Sequence, residues 1–318
     1  MPFSPEHILP GHSVSSLALD VKDRQSMQAL LQEANRTHGA RAWLTAFLDI
    51  PGTTTQLLRF DQLQHDVRLR ASQVKVLLDP LGQYQALRMI GELYLSRVPP
   101  LCLGPRPADA GLLERVAARH RAPEYLLQRL GDSLVFSVPF TPDPDLGDYF
   151  RVFWTSALFS NLSTLMLSLL SERVPLRGGV DIGISAKYSF YRATHAELVG
   201  ASLVKAYKLE SSVAQWPRIA IGRDLLDALS RLAGSADGSV ASLAGICLSL
   251  CRRDIDGTHS LDYLSQAIDG PHHPDTLRKA REFVTSQVSA FTEAGDRKLA
   301  ERYSHVEKYF SSTLGPQQ

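Results

Sequence analysis

The chain of 318 residues lacks most of the features that disclose a function at once. Its formal net charge is only +1, so no global field draws it toward polyanions, and nucleic acid is not an expected partner. Three cysteines, Cys102, Cys247 and Cys251, are too few for a disulfide scaffold and suit a reducing compartment. Cys247 and Cys251 lie in the apolar run ICLSLC with no His or Cys pair to complete a tetrahedral set, so both read as core residues. No HExxH, GxSxG, Walker loop or GxGxxG pattern occurs, which leaves metalloprotease, serine hydrolase, P-loop and dinucleotide chemistry without support. The DIDG segment at 254–257 lacks the third acidic position and closing Glu of a calcium loop and reads as a turn. The amino-terminal MPFSPEHILPGHS has neither a basic lead nor a continuous apolar stretch, so no secretory signal is expected. The most apolar helical segment, about Phe150 to Leu170, is interrupted by Ser, Thr and Asn. It reads as a buried or dimer-facing helix rather than a membrane span. A soluble, cytoplasmic protein with no membrane partner is expected.

What the chain does contain is a hydrophobic fraction of 44%, enough for a sizeable core, and two apolar runs that each end in one carboxylate. Trp43 to Ile50 is β-rich and is stopped by Pro51 and Gly52, which places Asp49 at a strand end. Tyr125 to Leu130 and Ser133 to Val138 read as strands joined by Gly131 and Asp132, a pair suited to a tight hairpin turn. If the strands are neighbours, the two acids can share divalent cations, which prefer hard oxygen ligands and bridge phosphates. Asp is also common in turns for purely conformational reasons, and either acid alone carries little weight.

Residues 1–40 read as an amino-terminal extension with a helical pattern at MQALLQEANRT. A catalytic domain is expected over 41–266, with a helical insertion at about 64–122 broken by the prolines of VPPLCLGPRPADAG. After the hairpin come the apolar helix, then RVPLRGGVDIGISAKYSFYR as strand, turn and strand. A helix in GASLVKAYKLESSVAQ, a short strand WPRIAIG and the helix RDLLDALSRL follow. ICLSLCRR and HSLDYL are expected to form a hairpin around DIDG, and 267–318 a helical carboxy-terminal extension. The order predicts an α+β fold with a mainly antiparallel, palm-like sheet of the ferredoxin-like βαββαβ kind.

Taken together, FLDIPG, LGDSLVF, LRGGVDIG, GASLVKAYKLESSVAQWPRIAIG, RRDIDGTHSLDYL and ERYSHVEKYF resemble, in order, the motifs of class III nucleotidyl cyclases. They are closest to the bacterial pyrimidine cyclases of the Pycsar antiphage system. The resemblance implies that Asp49 and Asp132 bind two Mg²⁺ or Mn²⁺ ions, with the Ile50 carbonyl as a further ligand. It also implies in-line attack of a ribose 3′-hydroxyl on the α-phosphorus with loss of pyrophosphate. An Asn and an Arg of the family's helix are replaced here by Val204 and Lys208, and Lys208 supplies a point charge where the family has a planar fork. Gln128 and Glu197 fall at the base-reading places, and neither matches the Lys and Asp expected for adenine. Gln128 offers both a donor and an acceptor to a pyrimidine edge. Arg252 and Arg253 stand near the family's triphosphate-binding cation, with Arg253 preferred. The resemblance further implies a homodimer with sites at the interface and a nucleoside triphosphate substrate, UTP or CTP. The product would be a cyclic UMP or cyclic CMP signal for a separate effector. A purine cyclase acting on ATP or GTP, and a catalytically inactive nucleotide- or protein-binding module, are the alternatives.

Overall fold

The computed structural model describes residues 39–51, 125–130, 133–189, 196–265 and 274–314. Residues 1–38 of the expected amino-terminal extension, the insertion at 64–122, Cys102, and Gly131 with Asp132 lie outside these, and Ala40 belongs to the first strand and not to the extension.

Strand β1 (Ala40–Asp49) is the centre of the architecture. It pairs antiparallel with β3 (Ser133–Pro139) on one side and β4 (Arg177–Ser189) on the other, and β2 (Leu126–Leu130) closes a hairpin against β3. Strand order β2-β3-β1-β4, all antiparallel, is that of a split βαββαβ sheet. The sheet then continues through β6 (Ile219–Ile221), β8 (His259–Leu261) and β7 (Cys251–Arg253), with β5 (Ala196–Gly200) also pairing β4. Only the β4–β6 pairing is parallel among the described residues. The fold is therefore α+β with a mainly antiparallel sheet, as the sequence predicts.

Both faces of β1 are covered, which is why its sequence is nearly all apolar instead of alternating. Leu44, Ala46 and Leu48 join Leu134, Phe136 and Val138 in the main core under helix α1 (Tyr149–Ser171). Residues of opposite parity face helix α2 (Ala201–Lys208): Phe47, Val135 and Ala206 form one cluster, and Thr45 Oγ1 donates to Ser202 Oγ at 2.9 Å. Helix α1 is apolar all round and long enough to cross a bilayer, but 78% of its most apolar window is buried inside the protein. It carries the weight of the core as the sequence predicts.

Two local readings are corrected. Most of ICLSLC is not a strand: Ile246–Ser249 end helix α4 (Gly238–Ser249), which follows helix α3 (Arg223–Ala233). Buried Val240, Leu243, Ala244 and Cys247 recur at helical spacing, and Asp237 caps the start by accepting from Ser239 N–H at 2.9 Å and Val240 N–H at 3.3 Å. Only Cys251–Arg253 remain extended, and they pair with His259–Leu261 around the expected turn. The segment RGGVDIGISAKYS is one continuous strand of 13 residues with no turn at its glycines. Those glycines answer a close approach instead: a Cβ on Gly179 would lie 2.2 Å from the Ala206 carbonyl oxygen and 2.8 Å from Glu210 N.

The carboxy-terminal region is two helices, α5 (Pro274–Glu293) and α6 (Arg297–Leu314), separated at Gly295, whose φ is 73°. Phe283, Tyr303, Val306 and Phe310 belong to the same core cluster as α1. Tyr309 ties the pair to the sheet: its hydroxyl donates to Asp262 Oδ1 at 2.6 Å and accepts from Leu264 N–H at 2.8 Å.

Candidate active site

Asp49 is the last residue of β1, and the alternation that puts Leu48 in the core turns Asp49 toward the α2 face, where it is 9% exposed. The carboxylate is held from two sides. Ser133, first residue of β3, donates its hydroxyl to Oδ1 at 3.2 Å. Arg177, Asp49's register partner on β4, donates to Oδ2 from Nη2 at 2.9 Å and from Nε at 3.2 Å.

The same guanidinium meets a second acid that sequence reasoning missed. Glu210, 2% exposed, lies on a π-helical turn (Leu209–Val213) that extends α2, and its Oε1 is 2.5 Å from Arg177 Nε in an ion pair. Two buried carboxylates thus converge on one cation. Burying a carboxylate costs several kcal/mol unless an opposite charge and hydrogen bonds compensate it, and Arg177 supplies opposite charge to both acids. The signal for Glu210 in the sequence is its place one turn past the apolar positions of α2. Gly179 of β4, beneath it, allows that turn to reach the sheet.

Gly179→Ala is therefore expected to strain this contact. Its Cβ would lie 2.5 Å from Leu209 Cβ as well as against the Ala206 carbonyl, so the turn carrying Glu210 must move. Overpacking of this kind costs about 1–3 kcal/mol. Chemical denaturation of the variant reads it directly.

The other candidate residues are distributed over the sheet. Asp132 lies outside the described residues, although its neighbour Ser133 touches Asp49 and pairs in register with Leu130. Ile50 is fully buried immediately after β1. Gln128 pairs with Val135 on β2, and its buried Oε1 has no hydrogen-bond partner among the described residues. Glu197 is exposed on strand β5 and is not the start of a helix. Lys208 is exposed at the last turn of α2, and Val204, 50% exposed, stands on the same helix beside the half-exposed Tyr207. Arg253 is exposed on β7, at the opposite edge of the sheet from β2. Within one chain, Gln128 and Arg253 stand at the two ends of the sheet and Asp49 lies between them.

A divalent cation fits this arrangement on one observation: Asp49 already receives a cation, the Arg177 guanidinium, on Oδ2. Asp49, the Ile50 carbonyl and Asp132 would provide hard oxygen donors. Among the described residues no group of three or more His, Cys, Asp or Glu clusters as a metal site.

No protein-family model matches the chain. No curated protein matches it either. Solved structures similar to it include a dimeric guanylyl cyclase domain of the RhoGC fusion protein from the aquatic fungus Blastocladiella emersonii. That match has 13% identity over 58% of this chain and 80% of that one, with a TM-score of 0.30. The adenylyl cyclase CyaB from P. aeruginosa is similar at 15% identity over 61% of this chain and 82% of that one, with a TM-score of 0.32. A bacterial light-regulated adenylyl cyclase is similar at 10% identity over 77% of this chain and 98% of that one, also at 0.32. At such identities and scores, every residue assignment rests on the site's own geometry.

Proposed function

We propose that this chain is a nucleotidyl cyclase that converts a pyrimidine nucleoside triphosphate, UTP or CTP, to its 3′,5′-cyclic nucleotide and pyrophosphate. The observation that carries this reading is the placement of Asp49: a buried carboxylate at a central strand end, facing a cation and bonded to the residue that follows Asp132. Two Mn²⁺ or Mg²⁺ ions held by Asp49, Asp132 and the Ile50 carbonyl would supply activation of the 3′-hydroxyl and a clamp on the phosphates. The chain's own part is to orient the nucleotide and neutralise its charge. Gln128, with a buried oxygen free of protein partners among the described residues, is suited to read a pyrimidine edge. Lys208, at the exposed end of α2, is suited to meet charge developing at the α-phosphate. Glu197 and Arg253 are assigned to the base and the triphosphate.

Because Gln128 and Arg253 occupy opposite ends of one sheet, the reading requires a head-to-tail homodimer in which one subunit's metal ligands face the other's recognition residues. Half-exposed Val199, Val204 and Tyr207 give the β5–α2 side an apolar surface compatible with such a partner. The product would serve as a cytoplasmic antiphage signal for a separate effector.

Val204 favours a second reading, a catalytically inactive nucleotide-binding module, since an exposed aliphatic side chain offers nothing to orient a ribose. Incubating the purified protein with Mn²⁺ and each of the four nucleoside triphosphates, and identifying products by mass spectrometry, separates the readings. Cyclic UMP or cyclic CMP is expected. A purine cyclic nucleotide would transfer the same chemistry to ATP or GTP, and nucleotide binding without any product would establish the inactive module.

A further inference from the structure

We propose that the cavity between the β7–β8 edge of the sheet and helix α6 is a second ligand site, built for a small planar carboxylate such as a one-ring aromatic acid. The inference is independent of the cyclase reading, since none of the described residues of the candidate active site lines this cavity. Its volume is about 190 Å³. A cavity of about 150 Å³ holds benzene, so one ring with a carboxyl group fits here. Ile255, on the lining, is 76% exposed, and the cavity therefore opens to solvent.

Two guanidiniums form its walls, each laid on an aromatic ring: Arg218 is 3.7 Å from the centre of Trp216, and Arg252 is 3.7 Å from the centre of Tyr309. Asp254 joins them. It accepts from Arg218 Nη1 at 2.8 Å, and from Arg252 Nε at 2.9 Å and Nη2 at 2.6 Å, which leaves Arg252 Nη1 without a hydrogen bond among the described residues. Lys308 adds a third cation from α6, and Asp254 is the one acid among the described lining residues. Asp256 and Asp262 stand outside the lining, engaged by Arg218 and by the Tyr309 hydroxyl. Three further atoms point to an occupant. Arg218 Nε, the Tyr263 hydroxyl and His305 Nδ1 are buried, lack a hydrogen-bond partner among the described residues, and belong to residues that line this one cavity. Buried polar atoms are hydrogen-bonded as a rule. Arginine and lysine nitrogens can only donate and a tyrosine hydroxyl can do so, so the partner this set calls for is an acceptor. Water would satisfy a lone orphan, but it would not balance three lining cations against one lining acid. An anion does. The aromatic and aliphatic surface of Trp216, Leu261 and Tyr309 favours a ring over a fully hydrated ion.

Titration calorimetry of the full chain with benzoate tests this, with benzamide as the neutral analogue and inorganic phosphate as the anion without a ring. Benzoate should bind once per chain, about tenfold or more tightly than either control. Tyr263→Phe should weaken benzoate about tenfold, the scale of one hydrogen bond to a charged group. Without ligand the same variant should melt at or above the wild-type temperature, because it deletes a buried hydroxyl that has no partner among the described residues. A hydroxyl with a purely structural role would do the reverse, lowering the melting temperature and leaving benzoate affinity unchanged. Lys308→Glu, at an exposed position of α6, should fold normally and weaken benzoate several-fold, so it carries the test should Tyr263→Phe fold poorly. No uptake of benzoate at millimolar concentration overturns the site, and so does benzoate binding that both variants leave unchanged. Benzamide binding as tightly as benzoate overturns the anionic character of the ligand, and uptake of phosphate without uptake of benzoate overturns its ring.

Discussion

Asp49→Asn is expected to reduce cyclic-nucleotide formation by about a thousandfold or more, roughly 4 kcal/mol of lost transition-state stabilisation. The fold should remain intact. An Asn amide oxygen can still accept the Ser133 hydroxyl, which now reaches Asp49 Oδ1 at 3.2 Å, and Arg177 keeps its ion pair with Glu210. What disappears is the negative charge that a divalent cation needs. Product quantification by mass spectrometry beside a thermal melt distinguishes lost chemistry from lost structure. Retention of more than about a tenth of wild-type turnover, less than 1.4 kcal/mol of effect, would remove this carboxylate from the reacting centre.

The largest stability effect is expected at Arg218, away from the candidate site. Its guanidinium, 3% exposed, donates to Asp254 Oδ2 at 2.8 Å, Asp256 Oδ2 at 2.7 Å and Thr258 Oγ1 at 2.9 Å, and lies 3.7 Å from the centre of the Trp216 ring. Arg218→Met fills much of the volume but strands the buried Asp254 with Arg252 as its remaining cation. Breaking a buried pair from one side costs about 3–5 kcal/mol. The thermal midpoint should fall on the order of 10 °C. The variant should also lose part of its acid dependence. Burial alone would raise the Asp256 carboxyl, but hydrogen bonds from Arg218 and Thr258 outweigh it and hold the group at about 2. A depressed folded value means that its contribution is present above the ordinary carboxylate range and is lost as pH falls toward 2. Without Arg218 this slope should flatten, which urea melts between pH 4 and pH 2 would show.

How far the sequence discloses this molecule depends on the range of the interaction concerned. Strand β1, the β2–β3 hairpin and helix α1 are legible because each is written in a contiguous pattern: an apolar run stopped by Pro-Gly, a Gly-Asp pair between two strands, and a long apolar helix. Asp49 is legible because it ends such a pattern. Its partners are not. Arg177 meets Asp49 through the antiparallel register of β1 and β4, and Glu210 continues the spacing of the buried Ser202 and Ala206 but, being charged, does not read as a buried position. A strand-end Arg opposite a strand-end Asp becomes visible only once the register is known. ICLSLC was ambiguous for a different reason, since a short apolar run fits a buried strand and a buried helix equally until the Asp237 cap is recognised.

Helix α1 has a consequence for how the protein is made. Its apolar surface is covered on several sides, and one cover, helix α5 at Pro274–Glu293, is encoded far downstream. During synthesis from the amino terminus, this membrane-like segment leaves the ribosome well before its cover exists. Until translation passes that point the strands made earlier can shield only one side of this greasy cylinder, so expression yield should depend on the supply of holdases as well as on the stability of the finished molecule.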